Sequence, residues 1–216
     1  MTPGHIALLG DSIFDNGAYT GGAPDVITHL RSLLPADWQA SLVAADGSTT
    51  SSIPAQTFRV PAAATHLVLA VGGNDAIQNS DLLATAVGST TEALTLFDER
   101  VREFEQHYRA ALERVLQLRK TTAVCTIYNG NLAPPEARLA RVALMLFNDA
   151  ILRVAFEYAL PVLDLRLICT EPADYANPIE PSGQGGRKIA VAIAGMLGLL
   201  GSPAPVSHVY GGGGSE

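Results

Sequence analysis

Three short segments put a nucleophile and hydrogen-bond donors where chemistry could use them. The first is Leu8-Leu9-Gly10-Asp11-Ser12-Ile13-Phe14-Asp15-Asn16, an apolar run that ends in a glycine, an acid and a serine. A serine at the C-terminal end of a first strand stands at the sheet edge where open α/β folds bind ligands. Asp46-Gly47-Ser48 and Gly72-Gly73-Asn74-Asp75 follow two further apolar runs. In a parallel sheet all three strand ends lie on one side, so a glycine N–H and the Asn74 amide can converge on one oxygen beside Ser12. Each segment alone has a plainer reading. Asp11-Ser12 can cap a helix, Asp46-Gly47 is a common turn pair, and Gly-Gly-Asn-Asp can be a turn with a helix cap. The combination favours an oxyanion hole.

The elements that must carry these segments are short apolar strands at residues 5–9, 41–45, 66–71, 123–128 and 161–165, separated by longer helical patterns. Residues 24–34 read as a first helix and 185–200 as the closing one. Between them, 136–158 repeats Leu139, Val142, Ala143, Leu146, Phe147, Ala150, Ile151 and Val154 as one broad helical stripe. Alternation of strand and helix predicts an α/β fold with a parallel sheet covered on both faces, because a parallel pair needs a crossover long enough to hold a helix. In 90–120, Leu94, Val101, Tyr108 and Val115 recur every seven residues, with Phe97, Phe104, Ala111 and Leu118 interleaved. Four heptads can pack against a sheet within one chain, the favoured reading, or form the seam of a homodimer. Residues 1–205 are read as one domain and 206–216 as a flexible Gly-rich tail, since the final stretch offers nothing to pack.

Taken together, Gly10-Asp11-Ser12-Ile13, Gly47 and Gly72-Gly73-Asn74-Asp75 resemble, in order, three blocks of the SGNH/GDSL hydrolase (lipase/esterase) family. The resemblance extends from about residue 5 to 199. It implies a three-layer α/β/α, flavodoxin-like fold with a five-stranded parallel sheet, an exposed site, hydrolysis of esters or related acyl compounds, and no cofactor or metal. By position it makes Ser12 the nucleophile and the Ser12 N–H, Gly47 N–H and Asn74 side chain the oxyanion donors, with Asp11 in support.

The fourth block departs from the family. Where the family places Asp-x-x-His before a Pro-Ser and a Gly, this chain reads Asn177-Pro178-Ile179-Glu180-Pro181-Ser182-Gly183. Asn177 stands for the orienting acid and Glu180 for the base. His5, His29, His66, His107 and His208 do not fall in a strand-end loop on the active side. A glutamate is a weaker base than histidine by about two pKa units, or about 3 kcal/mol. An apolar pocket would recover part of that difference. A carboxylate at 177 would oppose ionisation of Glu180, whereas the Asn177 amide can donate to it and hold it. The leading expectation is a serine hydrolase acting on a small ester, thioester or other acyl substrate. The alternative is a catalytically disabled protein of the same fold that binds a small ligand or partner.

Composition narrows the partners. The formal charge of −7 over 216 residues is scattered, without the Lys/Arg cluster that would follow nucleic acid or an anionic membrane surface. No apolar run approaches the roughly 20 residues needed to span a bilayer. The N-terminus lacks a basic leader and a cleavage site, so a soluble, cytoplasmic protein is expected. Cys125 and Cys169 fit no ligand pattern and read as buried reduced thiols.

Overall fold

The computed structural model describes residues 3–201 and 206–209. Most of the expected tail, 210–216, lies outside the described residues. The chain runs β1 (Gly4–Gly10), α1 (Val26–Leu33), β2 (Trp38–Leu42), α2 (Ile53–Thr57), β3 (His66–Ala70), α3 (Gly73–Gln78), α4 (Thr90–Leu116), β4 (Thr121–Cys125), α5 (Glu136–Glu157), β5 (Val162–Leu163), α6 (Leu165–Ile168) and α7 (Gly183–Met196). The five strands form one parallel sheet in the order β2-β1-β3-β4-β5.

Strand β1 pairs on both sides and is buried at every position, which is why its sequence is an unbroken apolar run. Its side chains alternate between two cores. Ala7 and Leu9 join Leu67, Leu69 and Val124 under α4 and α5. Ile6 and Leu8 join Val68, Ala70 and Cys125 under α1 and α7. These are the two helical layers expected of an α/β/α sandwich. Cys125 and Cys169 are buried and unpaired, and burial pushes the Cys169 thiol up to about 12.

Three strand boundaries differ from the sequence reading, each for a local reason. β2 starts at Trp38 and ends at Leu42 because Val43 and Ala44 both donate to the Leu8 carbonyl, which takes 43–45 out of the regular ladder. β4 ends at Cys125 because the Asn148 amide takes over both backbone groups of Ile127. β5 has two residues, since Asp164 already caps α6.

The heptad pattern of α4 is used within the chain: Val101, Tyr108 and Val115 are buried with Phe104 and Ala111 in the core under α5. Leu94, at the head of the series, is exposed. Ion pairs Arg153–Glu105 and Arg109–Glu157 tie the two helices side by side and fix them as parallel.

Candidate active site

Gly10 closes β1 where that strand lies against the end of β3, and a Cβ there would collide with the Ala70 carbonyl. The Asp11 N–H donates to that same carbonyl at 3.1 Å. Both features bring Ser12 beside the loop that carries Gly72, Gly73 and Asn74. Gln56 fastens the corner: its side chain accepts from Gly10 N, donates to Gly10 O, and reaches Ser48 Oγ.

The second loop is held against the third. Ser48 N donates to Ala45 O across a turn in which Gly47 has φ +74°, the left-handed conformation that favours glycine. Asn74 Nδ2 donates to Ser48 O at 2.9 Å, and the Asp75 carboxylate accepts from Thr50 N and Thr50 Oγ1. Among the described residues neither the Ser12 N–H nor the Gly47 N–H has a protein acceptor.

The loop that carries Glu180 is fixed carbonyl by carbonyl. Pro178 O accepts from Asn131 N, Ile179 O from Tyr128 Oη, Glu180 O from Ala176 N, and Pro181 O from Asn16 Nδ2. The Asn177 carboxamide oxygen accepts from Ile179 N and Glu180 N, both at 2.9 Å. This corrects the expected contact: Asn177 holds the Glu180 backbone, and its amide does not reach the carboxylate. The reason is geometric, because a short side chain three residues ahead closes a tight local turn before it can extend to the next side chain.

Ser12, Asn74 and Glu180 line one cavity of about 370 Å³, together with Asp11 and Tyr128. Gly47 is absent from its lining and borders the group through Ser48. The exposed site that the resemblance implied is instead recessed, with Ser12 and Glu180 each 7% exposed. The cause is an overhang. The N-terminal turns of α4 and α5 project past the sheet and wall the cavity with Phe97, Leu144 and Phe147, while Ala140 and Ala143 leave the space open. Ile77, Leu83 and Leu132 complete an apolar chamber.

Burial raises the Glu180 carboxyl above the ordinary carboxylate range. The Ser12 hydroxyl works the other way and the Asp46 charge adds to the rise. Among the described residues Glu180 Oε2 is buried without a hydrogen-bond partner. Such an orphan is costly and asks for a functional reason. Asp11 is raised to about 7, first by burial and then by the charges of Glu180 and Asp75, against the favourable Ile13 N–H. The Glu180 charge thus helps hold the proton on Asp11.

No histidine lines the cavity. His5 meets Ser41 and His66 meets Thr65, while His208 lies exposed in 206–209. Among the described residues no three His, Cys, Asp or Glu side chains converge as metal ligands, and no helix is long and apolar enough to cross a membrane. Sequence reasoning missed Gln56 and Tyr128. Their only signal is a polar group inside an apolar pattern, and their partners are backbone atoms 46 and 51 residues away.

Comparison with known proteins agrees with this arrangement. The GDSL-like lipase/acylhydrolase family matches residues 8–188, a span that holds all four loops. Among solved structures, a lipase from the goat rumen metagenome is 18% identical, with a TM-score of 0.68 over 88% of this chain and 95% of that one. Phospholipase A1 from Streptomyces albidoflavus NA297 is 17% identical, with a TM-score of 0.64 over 89% and 98%. An acetylxylan esterase from Geobacillus stearothermophilus, solved as a catalytic mutant, is 18% identical, with a TM-score of 0.65 over 89% and 93%. No curated protein matches significantly. With the family spanning the nucleophile corner, the donor loops and the Glu180 loop alike, the chain belongs to the GDSL-like lipase/acylhydrolase family and is an esterase-like hydrolase.

Proposed function

We propose that this hydrolase cleaves a small ester, thioester or other acyl compound with Ser12 as nucleophile and Glu180 as its base. Glu180 takes the proton as Ser12 Oγ attacks the acyl carbon. The oxygen that gains charge is received by the Ser12 N–H, the Gly47 N–H and the Asn74 amide. Glu180 then returns the proton to the departing alkoxide or thiolate, leaving an acyl group on Ser12. Water attacks that ester with Glu180 again taking its proton; as the acyl–Oγ bond breaks, Glu180 returns the proton to Ser12 Oγ and the carboxylic acid is released, which restores both groups.

The observation that carries this reading is the orphaned, buried Glu180 Oε2 in the same cavity as Ser12. Burial makes this glutamate a better base than an exposed one, because only its charged form loses by desolvation. Proton transfer leaves a neutral acid next to the oxyanion, so the donors carry more of the stabilisation than they would beside an imidazolium. The fixed backbone of the loop supports a retained role for Glu180. In the Geobacillus relative the catalytic mutant replaces a serine, in keeping with a serine nucleophile here.

Turnover of p-nitrophenyl esters tests the pair. Glu180→Gln keeps the volume but cannot take a proton, and should lower kcat by about 10²- to 10⁴-fold without unfolding the protein. Glu180→Gln turning over like wild type would exclude Glu180 as the base. An inactive wild type that gains esterase activity in Glu180→His would instead favour a disabled hydrolase.

A further inference from the structure

From residue 136 to 147, α5 reads Glu-Ala-Arg-Leu-Ala-Arg-Val-Ala-Leu-Met-Leu-Phe, apolar on almost every side. A helix of that kind is ordinarily surrounded by protein or lipid. Its inner stripe, Glu136, Ala140, Ala143 and Phe147, faces the cavity. Among the described residues nothing covers its outer side. Helical spacing places Leu139, Val142 and Leu146 in one row and Arg138, Arg141 and Met145 in the next. The four apolar side chains are 37–56% exposed, and both arginines are exposed.

Among the described residues neither Arg138 nor Arg141 pairs with a carboxylate; Arg31, Arg59, Arg114, Arg119 and Arg187 share that lack, but none of these flanks an exposed apolar row on its own helix as Arg138 and Arg141 do. The next acid along this face, Asp149, is taken by Arg153. Two free cations beside bare hydrocarbon stand out on a chain of charge −7. We infer that this outer face of α5 docks on the surface of an anionic phospholipid layer, with Leu139, Val142, Met145 and Leu146 among the acyl chains and Arg138 and Arg141 at the headgroup phosphates. An amphipathic helix with basic residues beside its apolar side lies in such an interface. A second copy fits less well, since a two-fold contact through this face brings the arginines of both copies together with no acid to receive them. Because the same helix walls the cavity, the docked enzyme would meet acyl chains at the mouth of its own site.

That consequence for substrate supply rests on the proposed Ser12 chemistry, but the docking does not, and it is measured without turnover. Full-length protein is floated with vesicles of phosphatidylcholine alone or with 30% phosphatidylglycerol (~30%, enough to charge the surface). Partition onto the anionic vesicles should be strong and should weaken with added salt. Each of Arg138→Gln and Arg141→Gln should lower it by about five-fold. Leu139→Ser with Val142→Ser should lower it by roughly ten-fold or more, with the melting temperature unchanged. Arg114→Gln, which removes the same charge from the far end of α4, should have no effect. Absence of partition, or partition indifferent to the α5 variants, overturns the proposal. So does a dimer in sedimentation that Leu139→Ser/Val142→Ser dissolves, which assigns the face to a second copy. An enzyme that partitions as expected yet hydrolyses no ester leaves the docking intact and refutes the Ser12–Glu180 reading.

Discussion

Helices α4 and α5 each have two halves of opposite character. Beyond Val101 and Phe147 they bury residue after residue against the sheet, Tyr108, Leu112, Ile151 and Val154 among them. Before those points neither helix has a single buried side chain, although α4 still carries Leu94, Leu96 and Phe97 and α5 carries Leu139, Val142, Leu144 and Leu146. One apolar periodicity thus serves two purposes. Where the sheet lies beneath, it makes core. Where the sheet has ended, it makes the wall of a cavity and an uncovered face. The difference teaches that apolar residues near this cavity border open space and not core, while the strand-end loops are held by polar locks instead.

The sharpest way to break this comparison is to truncate one residue in each half. Ile151→Ala empties a fully buried position and should lower stability by about 2–5 kcal/mol in urea unfolding. Val142→Ala, on the overhang of the same helix, should stay within about 0.5 kcal/mol. Equal losses at both positions would mean that the overhang is part of the core after all.

Asp11 gives the next largest effect, through pH. Its carboxyl sits at about 7 in the folded protein, above its ordinary value. The native state therefore holds a proton that the unfolded chain has released, so this group favours folding at low pH and loses that advantage as pH rises through 7. Between pH 5 and 7 the loss amounts to about 2 kcal/mol. Asp11→Asn keeps an oxygen for the Ile13 N–H and removes the titration. Its stability should exceed that of wild type at pH 8, and the gap should narrow as pH falls and close only at the ordinary carboxyl value of about 4. Parallel stability curves for the two proteins would show that Asp11 is not the titrating group.

Much of this was legible in the sequence, and the exceptions share a cause. β1 and β3 are apolar runs that stop at Gly-Asp-Ser and Gly-Gly-Asn-Asp, so their ends followed from local pattern, and their parallel direction from the alternation of strand and helix. Ser12 and Asn74 could be placed together because strand ends of a parallel sheet must share one side, and Glu180 was reached only through its place in the family's fourth block. The recessed cavity was not. Ala140 and Ala143 belong to the same stripe as core residues Phe147 and Ile151, and only the length of the sheet decides which of them meets protein. The same ambiguity hid the outer face of α5, where two arginines interrupt a stripe that reads as core and form no basic run in sequence. The Asn177 contact was missed because side chain to side chain was assumed where side chain to backbone is shorter.

A smaller effect probes the rigid half of the comparison. Tyr128→Phe removes the hydrogen bond to Ile179 O and should cost about 1 kcal/mol. Loosening the loop beside Glu180 should lower kcat more than it raises KM, because the lost contact positions the base and not the substrate. A change confined to KM would place Tyr128 in substrate binding alone.

The central claim is that Ser12 is made nucleophilic by Glu180, and a fluorophosphonate probe reads this directly without a known substrate. Mass spectrometry of the labelled protein should find the probe on Ser12 in wild type and none on any residue in Ser12→Ala. In Glu180→Gln, labelling should be slower by about 10²-fold or more. In wild type the labelling rate should fall on acidification through a pKa above the ordinary carboxylate range, because only the ionised Glu180 can take the proton. Labelling of Ser12 at equal rates in wild type and Glu180→Gln, or a probe found elsewhere in the wild-type chain, would contradict the account.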